Sequence, residues 1–259
     1  MSLPETITQS TYKDGTMSFE IPPTWMQGRT AYGGFSAALA LEAAMRIAPD
    51  LPPLRSAQIS FVGPLAGECR AVTKLLRRGR SAAFVEVDVM CGEEVGLKGV
   101  FVFMAARESK IALNENPAPE HKALADTVKA FKKQGQSPNF TLNMDYRHAW
   151  PEPKKGVPDL LNWAKLNDYE SLHPMTQVVA IADALPPAAL PLFDEPVPVS
   201  SVTWIINMLT DLPSTDDGWW LIRARSQVAM HGCSSQDMHI WNADGVPIAS
   251  GMQSVALFG

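Results

Sequence analysis

Asp183 is the one charged side chain in a run from Thr176 to Leu185 that has helical spacing and is otherwise almost wholly apolar. Val178, Ile181, Ala182 and Leu185 make one apolar stripe, and Val179, Ala180 and Ala184 make the opposite face apolar too. A helix that is apolar all round belongs inside a fold. A carboxylate carried there must find partners or be neutralised, and it can take a proton from water as a general base. The ordinary alternative is an acid at a frayed helix end that simply reaches water. Thr176 is expected to cap the start of this helix, and Pro186-Pro187 to stop it.

Other reactive side chains give weaker patterns. His231-Gly232-Cys233 pairs an imidazole with a thiol, but no acid is placed to orient the histidine, and neighbouring strand positions face opposite ways. Lys74, Arg77, Arg78 and Arg80 form a basic run that suits phosphate groups or, equally, a solvated strand edge. No serine elbow, dinucleotide loop, zinc-binding helix or calcium loop is spelled out, so neither a metal nor an organic cofactor is expected. Cys69, Cys91 and Cys233 are widely spaced and odd in number, which reads most simply as three reduced thiols in a cytoplasmic protein.

Composition narrows the partners. A formal net charge of -5 argues against nucleic acid or an anionic membrane as the main partner. No apolar run approaches the length of a membrane span, and the first residues lack the pattern of a signal peptide.

The elements that must position Asp183 occur twice. Residues 17–21 alternate as a strand, a turn-rich passage ends in Tyr32-Gly33-Gly34, and 35–48 is an Ala/Leu-rich helix. Strands are expected over 56–65, 68–77, 82–91 and 95–105, with Val85, Val87 and Val89 on one face of the third. Polar sequence with weak helical periodicity at 123–132 then reads as a linker. A strand at 140–146, a Pro/Lys-rich excursion at 150–158 and a segment at 160–166 lead to the helix with Asp183. Four more strands follow, over 200–209, 219–230, 235–242 and 246–258, the last two joined by an Asn242–Gly245 turn. This order divides the chain into a unit at 1–108, a linker at 109–137 and a unit at 138–259.

Three pieces carry a resemblance to a known family: Gly33-Gly34 opening an Ala/Leu helix, Gly79-Arg80-Ser81 before a strand, and Asp244-Gly245-Val246-Pro247-Ile248-Ala249-Ser250-Gly251-Met252-Gln253 near the end. With the repeated layout, the chain resembles the double hot-dog, type II acyl-CoA thioesterases. The resemblance implies an α+β fold of two tandem hot-dog units, each a long central helix wrapped by a curved antiparallel sheet. It implies acyl-CoA as substrate, hydrolysed by water without a cofactor, and it places Asp183, Ser201 and Gln253 together around that water. The family usually has Thr where this chain has Ser201, with Ser200 as a neighbouring rival. Gly33, Gly34 and Phe35 are the candidates for binding the thioester oxygen, through N–H groups at a helix start. Ala43 aligns with Asp183 in the first unit and cannot act as a base. Ala37, Ala38, Leu41, Phe61 and Trp204 are expected to wall an acyl tunnel. Trp204, Trp219, Trp220 and Trp241 crowd the second unit and point to a homo-oligomer. Two other readings stay open: a hot-dog hydratase or dehydratase using His173, and a non-catalytic acyl-thioester binder.

Overall fold

The structure, a computed structural model, describes residues 1–129, 137–152 and 156–259. The end of the weakly helical stretch 123–132, most of the last part of the expected linker and the middle of the excursion at 150–158 lie outside the described residues.

The chain opens with a short helix, α1 (Leu3–Gln9), which the sequence reading did not include. Its start is a capping box: the Ser2 hydroxyl accepts from the Glu5 N–H, and the Glu5 carboxylate accepts from the Ser2 N–H. Strands β1 (Thr11–Lys13) and β2 (Thr16–Ile21) follow, then a small ribbon of β3 (Met26–Gln27) and β4 (Thr30–Ala31). Helix α2 (Gly33–Met45) precedes β5 (Leu54–Phe61), β6 (Gly67–Arg78), β7 (Ala82–Cys91) and β8 (Glu94–Met104). The second half holds β9 (Met144–His148), β10 (Asp159–Leu166), α3 (Pro174–Ala182), β11 (Val199–Met208), β12 (Trp220–Met230), β13 (Cys233–Trp241) and β14 (Pro247–Leu257).

Twelve of these strands make one sheet in the order β1-β2-β6-β7-β8-β5-β11-β14-β13-β12-β10-β9. All its pairings are antiparallel, and the halves meet where β5 pairs with β11. Read outward from that seam, one half runs β5-β8-β7-β6-β2 and the other β11-β14-β13-β12-β10, so the connectivity is repeated. Alternation sets which face looks inward. In β7, Ala83, Val85, Val87 and Val89 are buried, while Lys98 bridges Glu86 and Asp88 on the outer face.

The two long helices lie against each other on the inner side. Ten residues of α2 are buried, as its all-round apolar composition requires. They cross so that each start meets the other's end. Tyr32, just before α2, donates its hydroxyl proton to the Ala180 carbonyl of α3, and Thr176 near the start of α3 donates to the Glu42 carboxylate of α2.

Several expectations are corrected. Thr176 does not cap α3: the cap is His173, whose Nδ1 accepts from the Met175 N–H, and the helix ends at Ala182 rather than running to the proline pair. Counted from the two helix starts, Glu42 and not Ala43 stands at the place of Asp183. Cys69 and Cys91 are joined in a disulfide across β6 and β7, so the reading of three reduced thiols fails for both, leaving Cys233 free and exposed. His231-Gly232 is the hairpin turn between β12 and β13, with positive φ at both residues, rather than part of a strand. Trp204, Trp219, Trp220 and Trp241 are all buried within the chain, so they supply no surface for association. No helix among the described residues is long and apolar enough to cross a membrane.

Candidate active site

Asp183 takes the first position after α3, with its carboxylate turned inward. The end of α3 points at the beginning of α2, and no side chain of α2's own segment caps that beginning. The free N–H groups of its first turn therefore face the Asp183 carboxylate, and the Gly34 N–H hydrogen-bonds to it. The approach is close because Gly33 and Gly34 lack a Cβ. One added at Gly33 would lie 2.5 Å from Asp183 Oδ2.

Gln253 reaches the same carboxylate from the middle of β14. Its Nε2 donates to Asp183 Oδ1 at 2.7 Å and to Ser201 Oγ at 3.1 Å. Ser201 lies near the start of β11, where the pairing with β14 skips a residue between Ser201 and Thr203. Trp204 faces inward, so strict alternation would turn Ser201 outward. The bulge at Val202, which is exposed, restores Ser201 to the inner side. Ser200 is exposed, bonds the Ser201 carbonyl, and makes no hydrogen bond to Asp183 or Gln253.

Burial pushes Asp183 from its ordinary value of 3.8 up to about 7, against the pull of the hydrogen bonds from Gln253 and Gly34. Tyr32 and Tyr146 also face it. Burial first, and the Asp183 charge second, hold both phenols far above neutrality. A carboxyl that titrates near pH 7 is matched to taking a proton from water.

Two cavities meet at this point. One of about 370 Å³ contains Asp183, Ser201 and Gln253 and is walled by Phe140, Leu185, Pro186, Pro187, Leu190, Pro196 and Val197. The other, of about 250 Å³, is lined by Gly33, Ser36, Phe61, Gly63, Thr30 and Arg29. Gln27, Val199 and Ser201 border both. One is apolar and encloses the carboxylate, and the other is polar and carries a cation.

Two family models match the chain: the acyl-CoA thioesterase N-terminal domain over residues 21–104, and the acyl-CoA thioesterase C-terminal domain over residues 115–257. The chain belongs to the acyl-CoA thioesterase family. No curated protein matches it. Among solved structures, this thioesterase-family chain is similar to a hot-dog protein of unknown function from Alicyclobacillus acidocaldarius, at 20% identity over 98% of this chain and 97% of that one, with a TM-score of 0.87. It is also similar to an acyl-CoA thioesterase II from Mycobacterium marinum, at 15% identity over 98% of each chain (TM-score 0.79), and to a tesB protein from Mycobacterium avium subs. paratuberculosis, at 14% identity over 99% and 98% (TM-score 0.82). At such identities the likeness speaks for the hot-dog fold alone.

The structure thus brings Asp183 and Ser201 each within hydrogen-bonding reach of Gln253, with Gly33 and Gly34 against the carboxylate. Phe35, the next residue of α2, is buried, and its ring stacks on Trp25 at 4.6 Å. Of the expected acyl wall, Phe61 borders the polar cavity. Ala37, Ala38, Leu41 and Trp204 are buried in the core and line neither cavity beside Asp183. None of Lys74, Arg77, Arg78 and Arg80 lines these cavities, and Arg78 pairs with Asp50. Arg29, which the sequence reading passed over, is the cation there. Its signal was its place in Gly28-Arg29-Thr30, just ahead of the glycine pair.

Proposed function

We propose that this chain hydrolyses acyl-CoA to a free acid and CoA through a water activated by Asp183. The observation that carries the reading is the buried carboxylate, bonded by Gln253 and Gly34, at the junction of an apolar and a polar cavity. Two tandem hot-dog units, at 1–108 and 138–259 around the β5–β11 seam, are the architecture that builds it; the repeated strand order supports this.

In the reaction, Asp183 removes a proton from the water as its oxygen attacks the thioester carbonyl carbon. Gln253 spends both amide protons on Asp183 and Ser201, so the Ser201 O–H is left to orient the water. The Gly34 N–H already serves the carboxylate, which leaves those of Gly33 and Phe35 as donors to the carbonyl oxygen as it gains charge. The C–S bond then breaks, and the proton held by Asp183 passes to the departing sulfur. A hydratase would need a histidine beside the carboxylate. His173 is exposed and caps the far end of α3, about 15 Å along the helix axis from Asp183, where it borders the cavity of Glu42 instead. Release of free thiol from a panel of acyl-CoA esters tests the reading: binding without release would favour the non-catalytic binder.

Two expectations concern the substrate. With the acyl chain in the apolar cavity, each methylene buried contributes about 0.8 kcal/mol. kcat/KM should therefore rise about fourfold per methylene from butanoyl-CoA upward, then level once the cavity is filled. A flat profile from acetyl to dodecanoyl would count against that placement. In the polar cavity, Arg29 is exposed and makes no ion pair among the described residues. Arg29→Ala should raise KM for acyl-CoA about two- to fivefold with kcat unchanged. The difference should shrink in high salt and vanish for thioesters of a short, phosphate-free thiol.

A further inference from the structure

Gln236 lies on β13 directly opposite Gln253 of β14, and it is wholly buried. Its Oε1 accepts from the Ala188 N–H at 2.8 Å, and its Nε2 donates to Gln253 Oε1 at 2.8 Å. We propose that Gln236 is a positioning residue that fixes which way round the Gln253 amide sits, so that an N–H donor and not a carbonyl oxygen faces Asp183 and Ser201.

The two ends of a glutamine amide have nearly the same shape, so hydrogen-bond partners alone decide its orientation. A backbone N–H can only donate. The Ala188 N–H therefore requires the oxygen of Gln236, which sends the Gln236 nitrogen to Gln253, whose oxygen must receive it. The Gln253 nitrogen is then left for Asp183 and Ser201. One peptide group in the loop after α3 thus sets the polarity of two side chains in succession. Both are buried, where a donor facing a donor is costly. Locked this way, Gln253 serves the ionised form of Asp183. The protonated form would need an acceptor, and the Gln253 oxygen is turned away from it.

In Gln236→Met the chain keeps its length but loses the donor. Gln253 can then rotate whenever Asp183 is protonated and accept its O–H, so the protonated form gains a partner. Tyr32 and Tyr146, the other titratable groups facing Asp183, remain uncharged throughout. The effect on turnover rests on the hydrolytic reading above; the effect on titration of Asp183 does not.

The test combines kinetics with titration of carboxyl-labelled aspartate by carbon NMR, the Asp183 signal being assigned by its loss in Asp183→Asn. In Gln236→Met we expect the Asp183 midpoint to rise by about half to one pH unit, with kcat down roughly tenfold and KM within about twofold. A midpoint equal to wild type overturns the proposal whatever happens to kcat, since a merely structural residue would lower activity without moving it. A shifted midpoint in a protein that hydrolyses no acyl-CoA upholds the positioning role and removes the hydrolytic reading instead. If Gln236→Met does not fold, wild-type protein still decides. A scalar coupling across the Ala188 N–H to the Gln236 carbonyl carbon, with Gln253 amide protons that move as Asp183 titrates, is the expected result. Gln253 amide protons indifferent to that titration overturn it.

Discussion

Asp183→Asn is expected to lower kcat by about 10²–10⁴-fold with a much smaller change in KM. The substitution keeps the size of the side chain but removes its ability to take a proton. Because burial places the wild-type carboxyl at about 7, the residual activity should also lose its acid limb. Wild-type kcat should rise with pH through about 7 and then level, while the variant should stay low and flat. Glu42→Gln is the matched control. Glu42 holds the corresponding place on α2, but the cavity of about 540 Å³ that it borders has Leu54 and Phe103 and neither a Ser nor a Gln. Its turnover should match wild type within about twofold. A folded Asp183→Asn protein with full hydrolysis would rule out the mechanism.

The same substitution should stabilise the fold at alkaline pH, by an amount that falls to nothing in acid. A carboxyl with a folded-state pKa raised from 3.8 to about 7 holds its proton more tightly folded than unfolded. Its contribution is fully present below pH 4 and is lost as pH rises through about 7. The loss at pH 9 is on the order of 4 kcal/mol. The substituted amide carries no charge to desolvate, although its NH₂ must face one of the two donors that Asp183 accepts from, which returns part of the gain. The variant should melt several degrees above wild type at pH 9 and together with it at pH 4. Equal melting at both pH values would mean that Asp183 is hydrated in the folded protein.

Local pattern carried much of this architecture. The all-round apolar character of α2 and α3 announced helices enclosed by a sheet, and β7 could be bounded residue for residue because its alternation is strict. Asp183 stood out as a lone charge on a buried element. What escaped depends on pairing between strands. The inward turn of Ser201 follows from a bulge that no alternation rule forecasts, and only the family resemblance pointed to it. Gln236 is a polar residue at an inward position of β13, meaningful only once its neighbour is known to be Gln253. Other signals were present and unused. Cys69 and Cys91 lie at the far ends of the two strands of the β6–β7 hairpin, which brings them near each other, and the register shift between Leu75 and Arg77 then sets them face to face. Ser2 with Glu5 three residues on spells the capping box of α1.

Gly34→Ala should damage the fold although it adds a single carbon. Alanine is the better helix former by about 1 kcal/mol, so propensity alone predicts a gain. The packing says otherwise. A Cβ at Gly34 would lie 2.4 Å from the Ala180 carbonyl oxygen and 2.5 Å from the Tyr32 hydroxyl. The first is backbone of α3 and cannot turn aside, so the helices must separate. Overpacking of this kind costs about 1–3 kcal/mol. Separation also breaks the buried hydrogen bond from Tyr32 to Ala180, and the unpaired carbonyl costs about 1–3 kcal/mol more. Net destabilisation of about 2–4 kcal/mol is therefore expected in equilibrium unfolding. Gly33→Ala separates the two roles of the glycine pair. Its Cβ would meet Asp183 Oδ2 at 2.5 Å and the Phe61 ring at 3.0 Å, both of them side chains that can move. The fold should survive to within about 1 kcal/mol, but the carboxylate is pushed from its place against α2, and a displacement near 1 Å costs on the order of 10²-fold in rate. A Gly34→Ala protein as stable as wild type would contradict the closeness of the helices. A Gly33→Ala protein with undiminished kcat would show that the position of Asp183 beside α2 does not matter to turnover.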